Sequence, residues 1–135
     1  MKALFVDTAG WMACADQSDP AHGRALAARD TWLARGGILV STDYVADETL
    51  TLIRFRLGLD AAEVWWQQVD RSSRLRWEYV NPARADKALA FFFQHRDKQF
   101  SFTDCTSFVL MRELKLREVL TVDRHFAQAG YGIKP

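Results

Sequence analysis

Short apolar runs broken by polar punctuation recur along this chain, alternating between strand-length and helix-length stretches. Ala3 to Val6 is continuously apolar and stops at Asp7, the pattern of a strand buried on both faces of a parallel sheet. Asp19-Pro20 reads as an N-cap with proline at the first helical position, and the Ala-rich stretch behind it continues through Trp32 and Leu33 to Gly36-Gly37. Ile38 to Val40 predicts a second buried strand. Ser41-Thr42-Asp43 then offers capping side chains to a helix that carries Val45, Leu52 and Ile53 and stops at Gly58. Asp60 with Glu63 three residues on resembles a capping box for a helix through Val64, Trp65, Trp66 and Val69, ended by the polar Arg71 to Arg74 stretch. Trp77, Tyr79 and Val80 predict a third strand. Asn81-Pro82 opens a further helix with Ala85, Leu89, Phe92 and Phe93 at helical spacing, up to Arg96-Asp97-Lys98. Thr103 is placed to cap a helix from Asp104 through Phe108 to Leu116, and Val119 to Val122 predicts a last strand ended by Asp123.

Strands alternating with helices of this length predict an α/β fold with a parallel sheet and right-handed crossovers. The ligand crevice of such a sheet lies beyond the carboxyl ends of its strands, where this reading puts Asp7 and Asp123. At 135 residues the chain is expected to form one domain over residues 1–135. With 49% apolar and 13% aromatic residues, intrinsic disorder is excluded. Eighteen Lys and Arg against 17 Asp and Glu leave a formal charge of +1, so any contact with nucleic acid must come from a local patch and not from a global field. Cys14 and Cys105 stand far apart without a CxxC spacing, as reduced, buried thiols do. The first apolar run is too short for a signal-peptide core and no stretch is long enough to span a bilayer, which makes the cytoplasm the expected location.

Four carboxylates draw attention. Asp7 and Asp123 follow strands, Asp104 opens a helix, and Glu48 lies about two turns into the helix after the second strand. Each has an ordinary reading: turn former for Asp7, helix-dipole partner for Asp104, cap of a short last helix for Asp123, solvated helical carboxylate for Glu48. All four nevertheless fall where the crevice is expected. Converged carboxylates repel one another unless a cation neutralises them, and an all-oxygen set suits Mg²⁺ or Mn²⁺ better than zinc. Two such ions can clamp the attacking water and the leaving oxygen of a phosphodiester. Asp47 and Glu48 lie about 100° apart on a helix and cannot both face one site; Glu48 is the candidate of the two.

The same residues carry a family resemblance. Val-Asp-Thr near the N-terminus, Asp-Tyr-Val-Ala-Asp-Glu-Thr-Leu-Thr-Leu, Ser-Phe-Thr-Asp-Cys-Thr-Ser-Phe and Leu-Thr-Val-Asp-Arg-His-Phe occur in order along essentially the whole chain. They resemble the PIN-domain ribonucleases, most closely the VapC-type toxins of bacterial toxin–antitoxin pairs. The resemblance implies a three-layer α/β/α domain and a Mg²⁺- or Mn²⁺-dependent endoribonuclease that leaves a 5′-phosphate and a 3′-hydroxyl. It matches Asp7, Glu48, Asp104 and Asp123 to the family's metal-binding acids. Whether Asp104 and Asp123 both ligate directly stays open. Thr8 matches a hydroxyl residue that binds phosphate or metal-linked water, and Thr121 matches a polar family position. Ala9 stands where the family often has serine, so that hydroxyl is missing. The resemblance also implies an RNA substrate, a homodimer, and a cognate antitoxin whose flexible tail crosses the active-site groove. Alternatives are an RNA-processing nuclease outside any toxin system and an inactive RNA- or protein-binding module. A phosphatase using Asp7 as nucleophile would want an aspartate where Ala9 stands.

The remaining features are weaker. His22, His95 and His125 lack HxxxH or HxH spacing, and of the three only His125 adjoins a candidate acid. Glycine-rich phosphate loops and nucleophile-elbow motifs do not occur. Arg54, Arg56, Arg71, Arg74 and Arg76 are candidates for a local RNA-facing patch. Trp65-Trp66 and Phe91-Phe92-Phe93 bear on partners: the phenylalanines sweep about 200° of a helix, so at least one is expected to leave the core stripe for an interface, unless a thick core enclosed by both helix layers takes them all.

Overall fold

In the computed structural model, which describes residues 2–135, the apolar run Ala3–Val6 is β1 and lies at the centre of a five-stranded sheet. Around it stand β2 (Ile38–Thr42), β3 (Leu75–Glu78), β4 (Glu118–Leu120) and β5 (Gly132–Lys134), in the order β3-β2-β1-β4-β5. All four pairings are parallel. Seven helices connect the strands: α1 (Thr8–Ala15), α2 (His22–Ala34), α3 (Asp43–Leu57), α4 (Leu59–Asp70), α5 (Pro82–Gln94), α6 (Phe102–Glu113) and α7 (His125–Gln128). The class is α/β as the alternation predicts, and the sheet is wholly parallel.

From β1 the chain steps outward to β2 and β3, then returns across the sheet to β4 and β5, so the strand order reverses between β1 and β4. Right-handed crossovers put α1 to α4 on one face and α5 to α7 on the other. Trp11 of α1 accordingly meets Trp65 of α4 edge-on, while Phe5 of β1 stacks on Phe126 of α7, which in turn meets Phe108 of α6. Leu4, Phe5, Val6, Val119 and Leu120 are fully enclosed, and each such side chain contributes about 1.5–3 kcal/mol of transfer free energy.

Several boundaries differ from the sequence reading. The helix α1 was not expected. Thr8, Gly10, Trp11, Met12 and Ala13 are all buried, so the helix lacks the polar face that marks amphipathic periodicity. Gly10 is what lets it sit there: a Cβ at this position would fall 2.0 Å from the Leu120 carbonyl oxygen, so α1 rests directly on the end of β4. The helix α2 starts at His22, because Asp19 spends its carboxylate on a turn, accepting from the Ala21 N–H at 2.8 Å. Thr42 caps α3, accepting from Val45, and Gly58 ends it at φ 100°. The same glycine opens α4, which begins one residue before Asp60 without a side-chain cap; the expected Asp60–Glu63 box does not form. The strand β3 lies earlier than Trp77–Val80, β4 stops before Thr121, and β5 is a three-residue edge strand too short to announce itself. Ser101, not Thr103, caps α6.

Candidate functional site

The reversal of strand order between β1 and β4 opens a crevice at the carboxyl ends of those strands, the place where open α/β sheets bind ligands. A cleft of about 240 Å³ lies there. Asp7, Thr8, Glu48, Asp104 and Asp123, all five site residues anticipated from the sequence, line it. Each arrives by its own local logic. Asp7 ends β1 and is the N-cap of α1, its Oδ1 accepting from the Gly10 N–H at 2.8 Å. Glu48 shares one face of α3 with Val45, Leu52 and Arg56, which follow the three-and-four spacing of a helix and also line the cleft. Asp47 is exposed and lies outside it.

Asp104 stands at the third position of α6 in a capping box: Ser101 Oγ accepts its N–H at 2.9 Å and its Oδ2 accepts from the Ser101 N–H at 3.1 Å. The ordinary reading of Asp104 as a helix-start residue is therefore true, yet the carboxylate still faces the cleft. Asp123 follows β4 by three residues and accepts from the His125 N–H at 2.9 Å, opening the short α7. Thr121 joins the two strand-end acids. Its hydroxyl donates to Asp7 Oδ2 at 2.8 Å and accepts from the Asp123 N–H at 2.9 Å.

The electrostatics are those of crowded acids. Burial, with the Asp7 carboxyl only 4% exposed, pushes it up to about 8 against the Gly10 and Thr121 hydrogen bonds that pull it down, and the charges of Asp123 and Asp104 add to the rise. Asp104 is also raised, first by burial and then by Asp123, with Ser101 and His125 opposing. Arg56 is the one cation among the described residues lining the cleft.

Four residues escaped the sequence reading of the site. Ser107, one turn after Asp104, presents a buried hydroxyl without a hydrogen-bond partner, as does Thr8. The i+3 spacing from Asp104 was the signal available for Ser107. Asp19 and Thr103, read as helix caps, line the cleft instead. His125 reaches back so that Nδ1 stands 3.0 Å from Asp104 Oδ2 and 3.3 Å from Asp123 Oδ1. Two buried hydroxyls without partners, together with carboxylates whose protons are held too tightly, fit a hard, oxygen-seeking dication.

Of the five arginines offered as candidates for an RNA-facing patch, Arg56 lines the cleft, while Arg74 and Arg76 are engaged elsewhere. Arg74 donates to the Leu33 carbonyl at 3.0 Å and to that of Gly37, beneath the opposite end of the sheet, and Arg76 pairs with Glu78 at 2.5 Å. His22 and His95 are spent on the backbone carbonyls of Ala13 and Phe91. Cys14 and Cys105 are free thiols, Cys105 buried. No helix among the described residues is long and apolar enough to cross a membrane.

A family model described as the PIN domain matches residues 4–131. The chain belongs to the PIN-domain family. Among its relatives, the 23S rRNA-specific endonuclease VapC20 of Mycobacterium tuberculosis is 30% identical over 128 residues, covering 95% of each chain. Ribonuclease VapC26 of the same organism is 26% identical over 127 residues, 92% of this chain and 90% of that one. The crystal structure of M. tuberculosis VapC20, described as a sarcin–ricin loop cleaving toxin, superposes with a TM-score of 0.86 at 29% identity, covering 98% of this chain and 99% of the other. FitAcB from Neisseria gonorrhoeae shares the PIN-like fold at a TM-score of 0.65 and 14% identity, covering 98% and 96%.

Proposed function

We propose that this PIN-domain chain, acting as one domain over residues 1–135, is an endoribonuclease that hydrolyses RNA phosphodiesters with Mg²⁺ or Mn²⁺ held by Asp7, Glu48, Asp104 and Asp123. The observation that carries the reading is the convergence of these four acids, from β1, α3, α6 and the end of β4, on one cleft that also holds the unpartnered hydroxyls of Thr8 and Ser107. A dication bound there neutralises charge on the scissile phosphate and lowers the pKa of the attacking water.

The chain's own groups supply the positioning. Asp7 is fixed by two hydrogen bonds and Asp123 by the Thr121 bridge, so the acids do not have to be ordered when RNA arrives. Thr8 and Ser107 each have a hydroxyl proton to give to a phosphate oxygen or a water. Arg56 on the rim supplies a cation for the backbone of the RNA. Attack in line with the 3′ oxygen leaves a 5′-phosphate and a 3′-hydroxyl.

The relative whose name specifies 23S rRNA matches over nearly the full length of both chains, which makes ribosomal RNA the first substrate to try and the cytoplasm the place of action. Its description as a toxin supports a neutralising antitoxin for this chain too. The exposed rings of Phe55, Trp66 and Phe93 are apolar surface suited to that partner or to a second copy in a homodimer.

The test is cleavage of purified ribosomes and total RNA with either ion, with EDTA, and by Asp7→Asn and Asp104→Asn. Discrete fragments that vanish with EDTA and in both folded variants are expected. Absence of cleavage by wild type with both ions, or cleavage that persists in both variants, would overturn the proposal and favour a binding module.

A further inference from the structure

We propose that His125 is a direct nitrogen ligand of the bound ion, so that Asp104, Asp123 and His125 form a mixed oxygen–nitrogen position that prefers Mn²⁺ to Mg²⁺. The inference rests on the metal-dependent reading above and goes beyond it by naming a ligand of a different element. Asp104, Asp123 and His125 each bring a donor atom within 4.8 Å of the other two. Adjacent donors around an octahedral ion, with bonds of roughly 2.1 Å, stand about 3.0 Å apart. Nδ1 is hydrogen-bonded to Asp104 Oδ2 at 3.0 Å and lies 3.3 Å from Asp123 Oδ1, separations that an ion taking the place of the shared proton would keep as adjacent corners of such a shell.

The ring is held for the task. Its backbone N–H is tied to Asp123 Oδ1 at 2.9 Å, and Phe100 meets its face edge-on at 5.7 Å and 78°, which limits rotation. The unpartnered Ser107 hydroxyl, 1% exposed on the same helix as Asp104, lines the same cleft and offers a neutral oxygen to the ion's shell or its waters. Imidazole is a poor ligand for Mg²⁺, and nitrogen donors raise affinity along the first-row transition series, so one histidine in an oxygen set tilts the choice toward Mn²⁺.

The experiment is pulsed electron paramagnetic resonance of the EDTA-stripped full-length chain after addition of one equivalent of Mn²⁺. Wild type is expected to show the strong nitrogen modulation of a directly bound imidazole. His125→Asn, which puts an amide oxygen near the place of Nδ1, is expected to bind Mn²⁺ without that modulation and to lose the Mn²⁺-over-Mg²⁺ preference seen in competition titrations. Mn²⁺ that binds wild type with no nitrogen modulation, or modulation that survives in His125→Asn, would overturn the histidine ligand and leave the carboxylate site standing. A wild-type chain that binds no Mn²⁺ would overturn both. If His125→Asn does not fold, the wild-type spectrum still decides.

Discussion

The acid that heads the site also weakens the metal-free fold, and replacing Asp7 by asparagine separates the two effects. Asp7 holds its proton to about 8 in the folded chain against an ordinary 3.8. Between those two pH values the unfolded chain has released a proton that the folded chain retains, so stability falls as pH rises, by about 1.4 kcal/mol per unit. Raising the pH from about 5 to about 8 in EDTA therefore costs wild type about 4 kcal/mol through this one group. Asparagine keeps the N-cap bond from Gly10 and turns an amide N–H toward Thr121 Oγ1, so the local geometry survives without the charge. Loss of the carboxylate from the N-terminus of α1 acts the other way, but at about 0.5–1 kcal/mol it is the smaller effect.

Urea unfolding of wild type and Asp7→Asn in EDTA across this range is the assay, and the quantity to follow is the stability difference between the two proteins. Other titrating groups are common to both and largely drop out of that difference. The inactive variant is expected to be the more stable protein near pH 8, with a gap that widens by about 4 kcal/mol from about pH 5 to about pH 8. Adding Mn²⁺ near pH 8 is expected to raise the stability of wild type by more than that of the variant, which keeps Asp104, Asp123 and His125 but lacks the Asp7 carboxylate. A variant equal to or weaker than wild type near pH 8, or a gap that ignores pH, would refute the account of Asp7 as a buried carboxyl held against its own desolvation.

Two further predictions follow from particular contacts. Gly10→Ala improves helix propensity by about 1 kcal/mol, yet its Cβ would meet the Leu120 carbonyl at 2.0 Å and force α1 off β4. A net loss of about 2–3 kcal/mol and a Tm lower by roughly 10 °C are expected by calorimetry, and an unchanged or higher Tm would refute the close approach. Glu48→Gln is expected to abolish RNA cleavage while Asp47→Asn leaves it within about twofold of wild type, since Glu48 lines the cleft and Asp47 is exposed; equal losses in the two variants would refute the assignment.

The fold was legible wherever a local signal had no tertiary competitor. The run ended by Asp7, the Thr42 cap, the Gly58 stop and the Asn81-Pro82 start all stand where expected, because each is decided by neighbouring backbone donors or by one residue's φ. Errors fell where tertiary burial or a competing cap decided. A helix with no solvent face carries no amphipathic signal, so α1 was silent. At α6 a serine two residues upstream of Thr103 won the cap because Asp104 could reciprocate. One of the three phenylalanines does leave the core: Phe91 meets Phe100 and Phe108, Phe92 meets Phe102, and Phe93 is 56% exposed.

The site divides along the same line. Its acids were readable because a carboxylate just past a buried strand of a parallel sheet has few places to go, and the reversal between β1 and β4 gathers two of them. What holds the acids was not readable. Thr121 and Asp7 are 114 residues apart, and the bond between them exists only because β4 lies beside β1 in register with it. The same hydroxyl that orders the Asp7 carboxyl also receives the Asp123 backbone N–H, so a single threonine ties the one acid to the main chain of the other. The cleft therefore presents its carboxylates on a prearranged frame, and the cost of burying them, which raises Asp7 and Asp104 first through desolvation and only then through their acidic neighbours, is what a bound cation would relieve.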